Sequence, residues 1–196
     1  MSGLSDQLVQ TLLSSLTKCE VLVKLVLKDI PLSKDSNGSK LAKCIQNLYK
    51  LENLQLINCN LSARSLLLIA KELEYNIILQ NLSLARNVLR KHASNREVVN
   101  SLIAMISNNK SLTHLDLSDM FLGDTFITQI VTESVAGSKS LAAFHFSGNN
   151  VSEKAKNEIF KIFKAPPRRD TANNLIFDKV NDTSFGSLQQ VSRFDD

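Results

Sequence analysis

The sequence predicts an α/β fold built as a solenoid, a one-dimensional stack of similar strand–helix units. The first observation is a recurring spacing of apolar residues, L-x-x-L-x-L, which is clearest in the stretch Leu112–Leu122. The second is the helical period of the apolar residues that follow each copy. The third is physical: one strand and one helix cannot bury both of their apolar faces alone, so neighbouring units must stack.

The spacing occurs five times. Copies begin at Leu22, Leu51, Leu79, Leu112 and Leu141, so successive starts lie 29, 28, 33 and 29 residues apart. Because leucines at i and i+2 share one face of a strand, each copy predicts a short strand with one buried face. Each strand leads to a turn position and then to an apolar residue two further on: Ile30 and Leu32, Cys59 and Leu61, Asn87 and Leu89, Met120 and Leu122, Asn149 and Val151.

The second half of each unit is predicted to be helical. Apolar residues recur there at spacings of three and four: Leu66, Ala70 and Leu73; Val98, Leu102 and Ile106; Phe126, Ile127, Ile130 and Val131; Ala155, Ile159 and Ile162. The segment Ser94–Glu97 carries a capping-box pattern. Between the first strand and its helix, residues 33–39 are polar and predict a connecting loop. The third unit is the longest, and its surplus falls between Leu89 and Glu97, where an insertion forms a loop, often on a binding face.

These features resemble the leucine-rich repeat family, in its ribonuclease-inhibitor-like class. The family has Asn or Cys at the turn position; Cys59, Asn87 and Asn149 match, whereas Ile30 and Met120 depart. The resemblance covers roughly residues 4–164. It implies a right-handed horseshoe arc, with a concave parallel sheet of five strands and helices on the convex side. Members of this class mostly bind other proteins, although a fold alone does not determine a function.

We expect one leucine-rich repeat domain over residues 1–165 and a C-terminal tail over residues 166–196. The domain comprises a half-repeat over residues 1–21 and five repeats from 22 to 165. The half-repeat is helical without a strand, and it is either a native cap or the remainder of a longer array. Pro166 and Pro167 end the last helix. In the tail, Leu175–Phe177 either folds back over Phe160 or Phe163 of that helix or orders on a partner.

Composition and motifs narrow the function classes. The 196 residues are 43% hydrophobic and 21% charged, as in ordinary globular domains, and the net charge of +4 is too small to indicate a nucleic-acid binder. There is no apolar run of about 18 residues and no signal-peptide pattern, so we expect a cytoplasmic protein without membrane partners. The three cysteines lack metal-type spacing and are expected to be reduced. Phosphate-binding Gly loops, H-E-x-x-H and G-x-S-x-G are absent, so we expect neither an enzyme nor a cofactor.

Candidate partner-binding residues fall in the loops that follow the third and fourth strands. An exposed aromatic residue beside a basic cluster is typical of an interface hot spot. Phe121 occupies a position that is Pro31, Asn60, Val88 and Asn150 in the other units. In the alternative, Phe121 folds against the neighbouring loop and the charges are only solvated. The basic residues of the long third loop are Arg86, Arg90, Lys91, His92 and Arg96.

A second candidate surface lies on the predicted concave face of the sheet. His145 is expected beside Asp116, with His114 two residues from Asp116 on the same face. These three side chains suit hydrogen bonding to a partner. The alternatives are a metal or catalytic cluster, for which no fourth ligand and no activated nucleophile is evident, and a merely solvated surface.

We therefore expect a non-catalytic protein–protein interaction module, an adaptor or structural subunit of a larger intracellular assembly. A cytoskeletal or ciliary assembly, or the role of a bacterial effector in a host cell, would suit such an array. The alternative is a regulator of a small GTPase, because the Ran GTPase-activating proteins share this repeat class. No catalytic residue of that group can be matched here, and the sequence determines neither the partner nor the oligomeric state.

Overall fold

A computed structural model of the chain describes residues 5–89, 95–162, 168–169 and 175–178. Short strands and helices alternate along most of this length. The strands are β1 (Lys24–Lys28), β2 (Asn53–Ile57), β3 (Asn81–Ser83), β4 (His114–Asp116), β5 (Ala143–His145), β6 (Arg168–Arg169) and β7 (Leu175–Asp178). The helices are α1 (Asp6–Leu16), α2 (Asp35–Asn47), α3 (Ala63–Leu73), α4 (Asn95–Asn108), α5 (Gly123–Ile130) and α6 (Glu153–Ile162). A π-helical turn, Val131–Val135, continues α5.

Strands β1 to β5 form a parallel sheet in chain order, which confirms the predicted α/β class with five parallel strands. The register aligns equivalent residues of the repeated spacing. One row runs through Leu25, Leu54, Leu82, Leu115 and Phe144, the second apolar position of each copy. The five predicted strands and the four predicted helical segments are therefore found at the positions that the repeated spacing predicts.

The core lies between this sheet and the helices. Alternate residues of each copy of the spacing point to the helix side. In β2 and in β3 to β5 with the residue that follows each of them, these side chains are at most 3% exposed: Leu54, Leu56, Leu82, Leu84, Leu115, Leu117, Phe144 and Phe146. The other face of the parallel sheet, here called the open face, carries mostly polar side chains. The residues of the open face are Lys24, Val26 and Lys28 of β1, Asn53, Gln55 and Ile57 of β2, Asn81 and Ser83 of β3, His114 and Asp116 of β4, and Ala143 and His145 of β5.

The turn position after each strand is where one unit is joined to the next. The buried Asn87 side chain donates to the carbonyls of Leu56 (2.6 Å), Leu84 (2.9 Å) and Ala85 (3.3 Å), and its oxygen accepts the amides of Cys59 and Leu61, both at 3.1 Å. Asn149, two units later, donates in the same way to the carbonyls of Leu117 (2.7 Å) and Phe146 (2.9 Å), and its oxygen accepts the amide of Leu122 (3.1 Å). These asparagines satisfy backbone groups of two units at once, which explains why a polar residue is buried there.

One predicted loop is helical. Residues 33–39 were expected to connect β1 to its helix, yet α2 begins at Asp35. Gly38 lies in its first turns, where a Cβ atom would overlap the Ser65 side chain of α3. Close packing of α2 on α3 therefore outweighs the weak helix propensity of Asn37, Gly38 and Ser39.

The segment Leu175–Asp178 is a strand, although the tail carries no pattern that predicts one. Strand β7 pairs antiparallel with β5, in the register Phe144 with Phe177 and His145 with Ile176, and β6 pairs with β7. The sheet of the described residues thus has seven strands rather than five. The backbone of this segment therefore returns to the edge of the sheet, at β5. The sequence had led us to expect that the segment would either fold over Phe160 or Phe163 of the last helix or become ordered on a partner. Residue 163 lies outside the described residues.

Candidate functional site

The structure describes three of the six residues of the predicted loop site: Arg86, Arg96 and Phe121. Arg86 and Phe121 are exposed, and Arg96 is exposed in the first turn of α4. Arg90, Lys91 and His92 lie outside the described residues, as does Ser94 of the predicted capping box. The loops after β3 and β4 and the start of α4 share the edge of the sheet at which the strands end, as expected for parallel strands followed by helices.

Four residues of the loops that follow β3 and β4 are here called the loop patch: Arg86, Val88, Asp119 and Phe121. The amide of Leu89 donates to the carbonyl of Met120 (3.2 Å), so the backbone beside Val88 runs next to the backbone beside Phe121. Earlier in the same two loops, the amide of Arg86 donates to the carbonyl of Ser118 (2.9 Å). Val88 and Phe121 are equivalent residues of adjacent units, and both side chains are exposed, by 44% and 54%.

Phe121 adopts a backbone conformation that is unusual for an aromatic residue. Its φ is +60°, in the left-handed region, where Asn and Gly are found far more often than bulky residues. The equivalent residues Asn60 and Asn150 have the same conformation, with φ of +50° and +54°. Pro31 and Val88, at the same position of the other two units, do not have a positive φ. Of the three units with a left-handed residue here, only this one has an exposed Phe where the other two have Asn. Such strain costs of order 1 kcal/mol and is characteristic of functional sites.

Charge in the loop patch is more balanced than the sequence indicated. The Arg86 Nε atom lies 3.4 Å from Oδ2 of Asp119, with both side chains about half exposed. An exposed pair of this kind contributes little to stability, but it places a cation and an anion beside the apolar side chains. Arg86 therefore does not act as one member of a purely basic cluster. The patch instead has an apolar centre, Val88 and Phe121, with charged groups beside it.

The residues of the predicted concave site are brought together on the open face. Asp116 and His145 are register partners in β4 and β5, and His114 lies two residues before Asp116. The Asp116 carboxylate accepts the Ser83 hydroxyl and the Ser118 amide, both at 2.9 Å, and the Thr113 hydroxyl lies 3.1 Å from Nδ1 of His114. Asp116 is thus held by its neighbours in a half-buried position.

This cluster does not have the arrangement of a metal centre. Among the described residues, no group of three or more His, Cys, Asp or Glu side chains is placed to hold a metal ion. The register partners in this row are Gln55, Ser83, Asp116 and His145. Gln55 and Ser83 are buried, whereas Asp116 and His145 are half-buried, so within this row only β4 and β5 suit hydrogen bonding to a bound surface.

The three cysteines occupy different environments. Cys19 is exposed, whereas Cys44 and Cys59 are buried and unpaired. The Cys59 thiol donates to the carbonyl of Leu27 (3.1 Å), and burial raises the pKa of this thiol to about 11. Burial also raises the pKa of the Cys44 thiol, which donates to the carbonyl of Leu13 (3.0 Å). Both buried thiols therefore stay protonated and act as small hydrogen-bonding core residues.

Sequence reasoning missed a group of exposed apolar residues at the opposite edge, in the helix-to-strand loops. Tyr49, Tyr75 and Ile77 are 68%, 75% and 76% exposed. A signal was present, because the position two before the first leucine of a unit is Tyr49 and Ile77 in two units and is charged in the other three: Glu20, Lys110 and Lys139.

Within the described residues, no helix is both long and apolar enough to cross a membrane. Searches for similar sequences gave no match, either to a protein-family model or to a curated protein.

Proposed function

We propose that the chain is a leucine-rich repeat solenoid whose function is non-catalytic: a protein–protein interaction module, serving as an adaptor or structural subunit of a larger assembly in the cytoplasm. Five parallel strands in chain order, each followed by a helix, and the shared Asn87 and Asn149 hydrogen bonds support the repeat architecture. The loop patch is the proposed protein-binding surface, and the open face around His114, Asp116 and His145 is its polar extension.

Phe121 is the observation that carries this proposal. The residue is exposed and has a left-handed backbone, two features that each disfavour Phe, at a position where Asn60 and Asn150 show the relaxed choice. Folding therefore does not account for Phe121. Burial of its ring in a partner would account for it, because aromatic side chains at the centre of an interface contribute a large share of binding free energy.

The test uses a substitution that separates folding from binding. Phe121→Asn places in this turn the residue that two other units have, so the melting temperature should be unchanged or higher, by an amount corresponding to at most about 1 kcal/mol. Removal of the ring should weaken partner binding about thirtyfold or more, since loss of a hot-spot residue costs at least about 2 kcal/mol.

The wild-type chain and the variants Phe121→Asn and Ile77→Ser are each immobilised and incubated with extract of the cells that produce the protein. Quantitative mass spectrometry then compares the proteins that each of the three retains. Ile77→Ser is the control, because it removes an exposed apolar side chain, 76% exposed against 54% for Phe121, from the opposite edge. A protein retained by wild type and Ile77→Ser and lost with Phe121→Asn is then purified, and its affinity for each variant is measured. Equal affinity for wild type and Phe121→Asn would reject the loop patch.

A further inference from the structure

The two edges of the sheet differ among the described residues. At one edge, β5 is covered by the antiparallel strand β7, whereas at the other, β1 pairs only with β2. An edge strand presents unpaired amide and carbonyl groups that can pair with another extended segment. The edge of β1 is a different surface from the loop patch, so a binding role for this edge goes beyond the proposed function.

The hydrogen-bonding pattern identifies which groups of β1 point outward. The Val23 carbonyl accepts the amide of Asn53 and the Asp29 amide donates to the carbonyl of Ile57, both at 3.0 Å, so odd-numbered residues bond to β2. Because bonding alternates along a strand, the amides and carbonyls of Lys24, Val26 and Lys28 face the outer edge. Three consecutive outward positions are enough to pair with a short strand.

Apolar side chains around this edge are incompletely covered. Leu25 and Leu27 are 7% and 6% exposed, more than the equivalent core residues of β2 to β5. Val23, directly before the strand, is 47% exposed. Helix α1 is nonetheless held on α2, by the Lys34–Asp6 ion pair (2.7 Å) and by the Cys44 hydrogen bond to Leu13. The helix layer thus extends past β1 while the described sheet stops there.

Charge on this edge selects the kind of segment that can bind. Lys24 and Lys28 are exposed on the open face, and neither has an ion-pair partner within the part of the chain that the structure describes. A second copy pairing antiparallel about Val26 would bring Lys24 opposite Lys28 twice, and like charges directly opposite each other are destabilising. Acidic residues at those two positions would instead be attracted.

We propose that the outer edge of β1 binds an extended acidic peptide segment of a partner protein by strand addition. The segment carries carboxylates opposite Lys24 and Lys28 on the open face, and its alternate, apolar side chains cover Leu25 and Leu27. Main-chain hydrogen bonds to Lys24, Val26 and Lys28 hold its backbone, while the two lysines select against basic segments and against a second copy.

The experiment titrates the full chain into a fluorescein-labelled peptide with the sequence Gly-Glu-Val-Thr-Val-Glu-Gly, followed by fluorescence anisotropy. This peptide reads the same in both directions, so its glutamates meet the lysines whether it adds parallel or antiparallel. A peptide with Lys in place of both Glu residues is the control. We expect saturable binding of the acidic peptide, at least about tenfold tighter than that of the basic one.

Two pairs of variants make the result specific. Val26→Pro removes the outward amide, which an edge strand tolerates, and should abolish binding, whereas Val26→Thr keeps that amide and should bind as wild type does. The double substitution Lys24→Glu with Lys28→Glu should exchange the preference to the basic peptide, which decides the question even if Val26→Pro fails to fold. Phe121→Asn should bind the acidic peptide normally, so this proposal and the loop patch can fail separately.

Three results would overturn the proposal: no saturable binding of the acidic peptide, equal binding of both peptides by the wild type, or unchanged preference in the double lysine variant. A wild-type dimer in sedimentation that is lost in Val26→Pro would also overturn it, by identifying a second copy as the occupant.

Discussion

At the scale of single residues, buried polar side chains contribute to stability through the backbone groups they satisfy. Asn87 is the clearest case, because it serves carbonyls of two units and two amides of the preceding one. Asn87→Ala should therefore lower the free energy of unfolding by about 3 kcal/mol or more, since several buried groups lose their partner. Chemical denaturation measures this loss.

Met120 supplies the matched control for Asn87. It is buried at the same position of the next unit, without hydrogen-bonding groups to lose, and Met120→Leu keeps its volume. This substitution should cost less than about 1.5 kcal/mol. If both variants lost equal stability, the hydrogen bonds of Asn87 would not be the cause.

Cys59 links stability to alkaline pH. Burial raises the pKa of its thiol to about 11 from an ordinary value of 9.0, so the folded state favours the protonated form. Its contribution is fully present below pH 9 and is lost as the pH rises towards 11, by about 2–3 kcal/mol in all. Cys59→Ser keeps a hydroxyl for the Leu27 carbonyl but does not ionise in this range.

The difference in unfolding free energy between wild type and Cys59→Ser should therefore shift in favour of the serine variant between pH 8 and pH 11. Taking the difference cancels the titration of lysines and tyrosines that both proteins share. Cys19→Ser is the control, because it makes the same exchange of side chains at an exposed position. A constant difference across this range would contradict the prediction.

At the scale of elements, the repeated leucine spacing was sufficient to predict the five parallel strands and their helices, because burial of one strand face leaves a direct trace in the sequence. It was not sufficient for β7. Four residues, Leu175–Asp178, carry no recognisable period, and their strand conformation depends on pairing with β5. In α2, contact of Gly38 with Ser65 overrides local propensity, which sequence patterns do not record.

The same limit applies to the loop patch. Exposure of Phe121 was predicted, because the equivalent position in the repeated unit points outward, and its side chain is 54% exposed. Its left-handed φ and the pairing of Arg86 with Asp119 were not predicted, since both depend on how two turns are placed side by side.

Strand β7 should stabilise the array from its C-terminal edge. A chain ending at residue 165 loses β6 and β7, whereas a chain ending at residue 180 retains them and serves as the control. The free energy of unfolding of the shorter chain should be lower by about 1–3 kcal/mol, because the outer amides of β5 lose their partners. Hydrogen exchange should also become faster in Ala143–His145, and identical stability of the two chains would exclude this role.

At the scale of the whole molecule, stability is distributed along one dimension. The backbones that run closest to one another belong to neighbouring elements of the same layer, as in α1 with α2, α2 with α3, and β1 with β2. An element in the middle therefore has two neighbours, and an element at an edge has one. The position of a unit should decide what a core substitution does, even when the chemistry of the substitution is the same.

Leu82 and Leu25 allow this to be measured, because they occupy equivalent positions in β3 and β1. Leu82→Ala leaves a cavity between two units and should cost about 3–5 kcal/mol, whereas Leu25→Ala, at a partly exposed edge, should cost about 2 kcal/mol. Native-state hydrogen exchange should show faster exchange confined to α1, β1 and α2 for Leu25→Ala, and spread to units on both sides for Leu82→Ala. If both variants accelerated exchange uniformly along the chain, the units would be coupled globally rather than through their neighbours.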